Sequence, residues 1–246
     1  MYDLKTREAT NFMWTENEAD RGANEISSAL WIKLKEEDEK GTVNRVVLFS
    51  DTCAGQNRNK TTSTMLTFFL NQAKNILSIE QKFFESGHSQ MECDSVHSTI
   101  EHAVNKKDTY LPSQYIDAVR NARRGNPYRA VQLEGTDMVD WTKLNSQFFK
   151  ATAFKGIITK HHIIYSREID SVDVRISFSD EIGGTQLPID YRRRGRQLKV
   201  WNIEAARTDA KTVKPTVDKN KKDDLKRNFA NICLLIAEHS TMIFRV

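Results

Sequence analysis

Arg45-Val46-Val47-Leu48-Phe49-Ser50-Asp51-Thr52-Cys53-Ala54-Gly55-Gln56-Asn57-Arg58-Asn59 is the stretch that decides the fold. Val46 to Phe49 is an unbroken apolar run, which suits a strand covered on both faces. The run stops at Asp51, and small and polar residues follow. A carboxylate at the C-terminal edge of such a strand sits where open α/β sheets place their ligands. A second apolar strand, Ile79 to Phe84, ends in Gly87-His88. The helix after it carries Asp94, His97 and Glu101, and spacings of i, i+3 and i+7 put them on one ridge. Two strand ends and one helix thereby bring Asp51, His88, Asp94 and His97 to one place. Hard oxygen donors with imidazole beside them suit Mg²⁺ or Mn²⁺.

The chain of 246 residues is long enough for one large core or two small ones. With 39% hydrophobic and 28% charged residues, its composition is globular. No apolar run approaches a membrane span, and the first residues are polar and charged, so neither a membrane helix nor a signal peptide is expected. Cys53, Cys93 and Cys233 are too few for a disulfide framework and lack zinc-type spacing. A nuclear or cytoplasmic location is expected, not a secreted one. The net charge of +4 hides an asymmetry. Residues 1–105 hold 11 Lys and Arg against 16 Asp and Glu, a net of −5. Residues 106–246 hold 26 against 17, a net of +9. An acidic half before a basic half suggests a metal-binding part and a polyanion-binding part; ordinary surface charge is the plain alternative.

Residues 2–15 read as one or two strands. Asn24 can cap a helix from Glu25 to about Glu39, with Ile26, Leu30, Trp31 and Leu34 as its apolar stripe, ended by Gly41. After the central strand, a helix from Asn59 or Thr61 to Ala73 is expected, then a strand over 79–85 and a helix over 90–104. Lys106-Lys107-Asp108 marks the domain boundary, giving domains 1–105 and 106–246. In the second, the pattern predicts a helix from Pro112 to Arg124 with Arg120, Arg123 and Arg124 outward. It also predicts a strand over 128–133, a helix over 140–149, paired strands over 156–165 and 172–178, and a helix over 218–239. Arg192-Arg193-Arg194-Gly195-Arg196 is the densest basic cluster.

The order of elements fits an RNase H-like fold, whose acids lie on the first strand, the first helix, the end of the fourth strand and the last helix. Glu25, Asp51 and Asp94 occupy the latter three places. Carboxylates converging from different elements can share divalent ions that activate water and stabilise a leaving oxygen in phosphodiester cleavage. Each residue also has a plain structural role. Asp94 and Glu25 suit helix first turns, Asp51 suits a turn, and His97 suits a helix surface.

Ser50-Asp51-x-Cys53-Ala54-Gly55-Gln56-Asn57-x-Asn59, Gly87-His88-Ser89-x-Met91-x-x-Asp94-x-x-His97-x-x-Ile100-Glu101 and Trp14-x-Glu16 with Arg21-Gly22-x-Asn24-Glu25-Ile26 resemble an uncharacterised domain family. It is widespread in transposon-derived proteins of insect and other animal genomes. Arg120-Asn121-Ala122-Arg123-Arg124-x-Asn126-Pro127 and the arginines around Gly195 match its C-terminal part. The resemblance implies transposon ancestry. Members carry, upstream of the stretch matching Tyr2-Asp3-Leu4, a strand bearing an Asp. The chain begins after it, so a domain lacking its first strand and first acid is expected.

The expected architecture is therefore α/β: an RNase H-like mixed sheet with flanking helices, without its first strand, then a smaller basic α+β region. The expected function is that of a transposase- or nuclease-like domain of DDE type, incomplete or inactive as this chain. Asp51, Asp94, Glu25 and His97 form the catalytic set, and Asp51, Asp94 and His88 hold Mg²⁺ or Mn²⁺. Arg120, Arg123, Arg124, Arg192, Arg193, Arg194 and Arg196 meet nucleic acid, DNA above all. The alternatives are a catalytically silent nucleic-acid-binding domain and a protein-interaction domain.

Overall fold

The apolar run at residues 45–50 forms strand β3 (Arg45–Ser50), buried inside a mixed sheet. The computed structural model describes residues 1–85, 90–105, 109, 111–167, 171–175, 184–191 and 203, with the backbone of 235–236 and 241–245. Ahead of β3 come β1 (Tyr2–Asp3), β2 (Thr10–Trp14) and helix α1 (Ala23–Lys40). After it come α2 (Lys60–Gln72), β4 (Ser78–Phe83), α3 (Glu92–Val104), α4 (Pro112–Asn121), β5 (Arg129–Gln132) and α5 (Trp141–Phe148). The remaining described elements are β6 (His162–Ser166), β7 (Ser171–Arg175), β8 (Thr185–Pro188), β9 (Leu235–Ile236) and β10 (Thr241–Arg245).

Among the described residues the main sheet runs β1-β10-β3-β4-β6-β7-β8. The pairs β1–β10 and β3–β4 are parallel and the others antiparallel. A smaller sheet runs β5-β2-β9. Successive side chains of a strand point to opposite faces. Val46 and Leu48 join Leu30, Trp31 and Leu34 of α1, the apolar side of α2, and Trp141 of α5 in the largest core. Phe49 points the other way, where it and Phe84 pack with Met91 and Cys93 at the start of α3. The main sheet is therefore covered by α1, α2 and α5 on one face and by α3 on the other. The smaller sheet continues this layering, with Phe12 and Trp14 toward Ile26 and Ala29 of α1, and Met13 toward Val96 and Ile100 of α3.

Several expectations shift. Strands from both sides of residue 106 lie in the main sheet, and Trp141 packs 5.1 Å from Trp31, ring centre to ring centre. The charged run at 106–108 thus separates sequence segments that share a hydrophobic core. Helix α4 ends at Asn121 rather than Arg124, because Gly125, the positive φ of Asn126 and Pro127 turn the chain away. Gly156 has φ +79 and leads into a 3-10 turn at Ile157–Thr159, so the strand expected from 156 starts at His162. Leu235–Ile236, expected in the last helix, pair instead with Trp14 and Met13; a short aliphatic run reads equally well as strand or helix. The rest of that expected helix, residues 218–234 and 237–239, lies outside the described residues.

Helix α1 is capped by Gly22, not Asn24, and the Gly22 N–H donates to Glu25 Oε2 at 3.0 Å. Asn24 instead ties α1 to α5, accepting from the Thr142 N–H at 3.1 Å. At the other end, Gly41 takes φ +64 and its N–H donates to the Asp38 carbonyl. The Asp38 carboxylate, turned toward the α2–β4 connection, accepts the backbone N–H groups of Lys74 at 2.7 Å and of Asn75 and Ile76 at 2.8 Å. One buried side chain thereby satisfies three donors of a connection that lies outside any helix or strand.

Burial pushes the Asp38 carboxyl up, but its three N–H donors outweigh it, and the group ends below its ordinary value of 3.8. A lowered folded-state value means the contribution is full above the ordinary value and is lost as pH falls through the lower one. Asp38→Ala should cost about 3 kcal/mol, since three N–H groups lose their acceptor. Urea unfolding at neutral pH measures it, and the gap between wild type and variant should narrow below about pH 4.

Candidate functional site

The chain leaves β3 toward α2 on one face of the sheet and leaves β4 toward α3 on the other. Adjacent parallel strands whose outgoing connections part in this way open a crevice at their C-terminal ends. Asp51 is the first residue past β3 and stands at that edge. Its Oδ1 accepts from Asn57 Nδ2 at 2.6 Å and from the Cys53 N–H at 3.2 Å. Asn57 is 4% exposed. The Cys53 carbonyl receives the N–H groups of Gln56, Asn57 and Arg58, so residues 51–58 form a tight, internally bonded loop. Asn59 then caps α2, its Oδ1 accepting from the Thr62 N–H at 2.9 Å. This accounts for much of the Asp51-to-Asn59 motif as local wiring.

The start of α1 lies against the same loop. Gln56 Nε2 donates to the Arg21 carbonyl at 3.3 Å, and Ser27 Oγ lies 3.2 Å from Thr62 Oγ1. Glu25, in the first turn of α1, is half-buried there. Asp94 sits in the first turn of α3, exposed, with Oδ2 accepting the Met91 N–H at 2.8 Å. Met91 and Cys93 anchor that turn beneath Phe49 and Phe84, which mark the ends of β3 and β4. Asp51, Glu25 and Asp94 therefore occupy one edge of the sheet, with Glu25 and Asp94 on helices that cover opposite faces. His97 follows one turn into α3, half-buried, and Glu101 is exposed. His88 lies outside the described residues. Among the described residues no three His, Cys, Asp or Glu side chains group closely enough to hold a metal ion. Asp51 and Asp94 are the hard oxygen donors that Mg²⁺ or Mn²⁺ takes.

Of the predicted basic residues, Arg120 is exposed on α4, 3.9 Å from Asp117. Arg123 and Arg124 lie beyond the helix, so the three do not share a helical face. Arg123 Nε donates to the Asn126 carbonyl at 3.0 Å, with its guanidinium 5.1 Å from the Tyr128 ring centre. Arg192, Arg193, Arg194 and Arg196 lie outside the described residues. No described helix is long and apolar enough to cross a membrane.

Two features escaped the sequence reading. Arg58 lies over the Phe83 ring at 5.7 Å and donates from Nη1 to the Lys160 carbonyl at 3.4 Å. Its Nε has no hydrogen-bond partner among the described residues, and burial lowers the guanidinium's pKa. The second is a polar cluster around the buried Glu80 on the α3 face of the sheet. Glu80 Oε2 lies 2.9 Å from His162 Nε2, and Arg45 Nε donates to Glu80 Oε1 at 2.6 Å. Burial raises the Glu80 carboxyl, and its bonds to His162 and Arg45 more than offset that and hold it below the ordinary range. A glutamate amid the apolar residues of β4 was the available signal; its partners come from β3 and β6, which only the sheet register brings alongside.

The chain belongs to a family of domains of unknown function, DUF8701, which matches residues 23–177. The match opens at the first residue of α1, closes just past β7, and spans Glu25, Asp51, Arg58 and Asp94. No curated protein and no solved structure matches the chain.

The Asp51–Asn57 bond carries a direct test. In Asn57→Asp two carboxylates face each other where an amide donated before, which opposes ionisation of both. The variant should be less stable than wild type at pH 7 by about 2 kcal/mol. Part of the loss should return as pH falls and the pair takes up a proton, since repulsion raises the pair's folded-state pKa. Chemical denaturation at neutral and mildly acidic pH reads both effects.

Proposed function

We propose that this chain is a transposon-derived, RNase H-like domain of DDE transposase or nuclease type that handles nucleic acid at the β3–β4 crevice. What supports the reading is the place of Asp51 at the C-terminal end of β3, where the connections from β3 and β4 part, with Glu25 and Asp94 in the first turns of the helices on either face. Asp51 and Asp94, with His88, would hold Mg²⁺ or Mn²⁺; Glu25 would assist, and His97 would orient water or phosphate. The ion, when bound, supplies Lewis acidity and an activated water. The chain's own part is to fix the donors: Asn57 aims Asp51, and the Gly22 and Met91 N–H groups hold Glu25 and Asp94. Arg120, Arg123, Arg124, Arg192, Arg193, Arg194 and Arg196 would take phosphates of the bound strand, preferably DNA.

A second reading is a catalytically silent nucleic-acid-binding domain. It is favoured by the same hydrogen bonds, because all three carboxylates already serve local backbone or amide donors.

Titration of the full chain with Mn²⁺ by calorimetry tests the first reading. Asp51→Asn and Asp94→Asn should each weaken binding by roughly tenfold or more. Any nicking of supercoiled DNA in Mn²⁺ or Mg²⁺ should fall by ~10²–10³ in Asp51→Asn, the loss that removing one charge-stabilising group can cause. Mn²⁺ binding indifferent to both substitutions would sink the metal reading and leave the silent one.

A further inference from the structure

We infer that Arg58 and Lys82 form a two-point phosphate clamp straddling the β3–β4 crevice. The inference rests on the nucleic-acid reading above and assigns that site two contacts absent from the sequence motifs. Phe83 is the last residue of β4 and pairs with Ser50, the residue before Asp51. Arg58, placed over Phe83, thus stands beside the strand end that Asp51 leaves, on the face covered by α2. Lys82, one residue earlier on β4, points to the opposite face. Its Nζ lies 5.9 Å from the centre of the Phe49 ring, which belongs to the α3 side. One cation therefore flanks the crevice on each side.

Both are held over an aromatic ring, and among the described residues neither forms an ion pair with a carboxylate. A ring positions a cation without neutralising it. Arg58 is also half-buried, with Nε unpartnered, so its charge is partly stripped of water with no anion in return. Desolvating a charge without a partner is unfavourable, and an arriving anion relieves the cost. A phosphate fits that role, because the planar guanidinium offers paired donors to its oxygens and an ammonium adds a point charge. The position also answers an electrostatic need: a crevice edged by Asp51, Glu25 and Asp94 repels a phosphodiester unless cations stand beside it.

The test uses the full chain and a fluorescein-labelled DNA duplex, followed by anisotropy in EDTA over a range of salt concentrations. EDTA removes any contribution of a carboxylate-bound ion. Arg58→Ala and Lys82→Ala should each lower affinity by roughly three- to tenfold and flatten the log–log salt slope by roughly one unit. Lys35→Ala, an exposed lysine on α1, should leave the slope as in wild type. Urea unfolding verifies that each variant is folded; if Arg58→Ala is not, Arg58→Gln replaces it. Slopes unchanged in both folded variants, with Asp51-dependent Mn²⁺ binding intact, overturn the clamp and spare the metal reading. Absence of any salt-dependent DNA binding by the wild-type chain overturns the clamp and the nucleic-acid reading together.

Discussion

Burial of β3 on both faces is the constraint from which the rest follows. Val46 and Leu48 on one side, and Val47 on the other, are nearly sealed from water. A strand apolar on both sides gains its stability only when each side is covered, at roughly 25 cal/mol per Å² of apolar surface removed from water. The chain meets this by sending α2 to one side after β3 and α3 to the other after β4. That alternation leaves a gap where the two strands end, and the Ser50–Asn59 motif lies in it. The crevice is a geometric by-product of covering β3.

Polar groups inside this layered structure are wired rather than merely tolerated. Tyr165 is buried between β6 and α2, its hydroxyl 2.9 Å from both Ser63 Oγ and Gln81 Oε1; burial pushes that hydroxyl's pKa up. Glu80 bonds to His162 and Arg45 across three strands, fixing the register of β3, β4 and β6 by polar contact as well as by pattern. Breaking such a pair from one side leaves a buried charge behind, a far larger penalty than the pair's net worth. These contacts therefore specify the alignment of the sheet more than they add to its stability.

The local elements were legible because their signals are short-range. The apolar run of β3, the stripe of Leu30, Trp31 and Leu34, and the cap at Asn59 each follow from a few neighbouring residues. The sheet order was not legible. Nothing near residue 48 announces that residue 243 lies beside it, or that His162 will meet Glu80. The charged run at 106–108 reads as a boundary by composition alone, and composition says nothing of the sheet that draws strands from both sides of it. At the candidate site, the motif residues Asp51, Asn57 and Asn59 stood out by type. Arg58, between two of them, carried no signal, since its lack of a carboxylate partner among the described residues emerges only in the folded loop.

The seating of β10 between β1 and β3 bears on how the molecule is made. Strand β3 leaves the ribosome nearly 200 residues ahead of its antiparallel neighbour at Thr241–Arg245. Throughout that interval one edge of β3 presents unpaired backbone groups, the state in which strands add to foreign chains. Pairing across so long a separation is also slow, because loop closure must precede the contacts that reward it. The nascent chain thus passes through a half-assembled sheet with an open seam, and chaperone engagement during synthesis would protect that seam until β10 arrives.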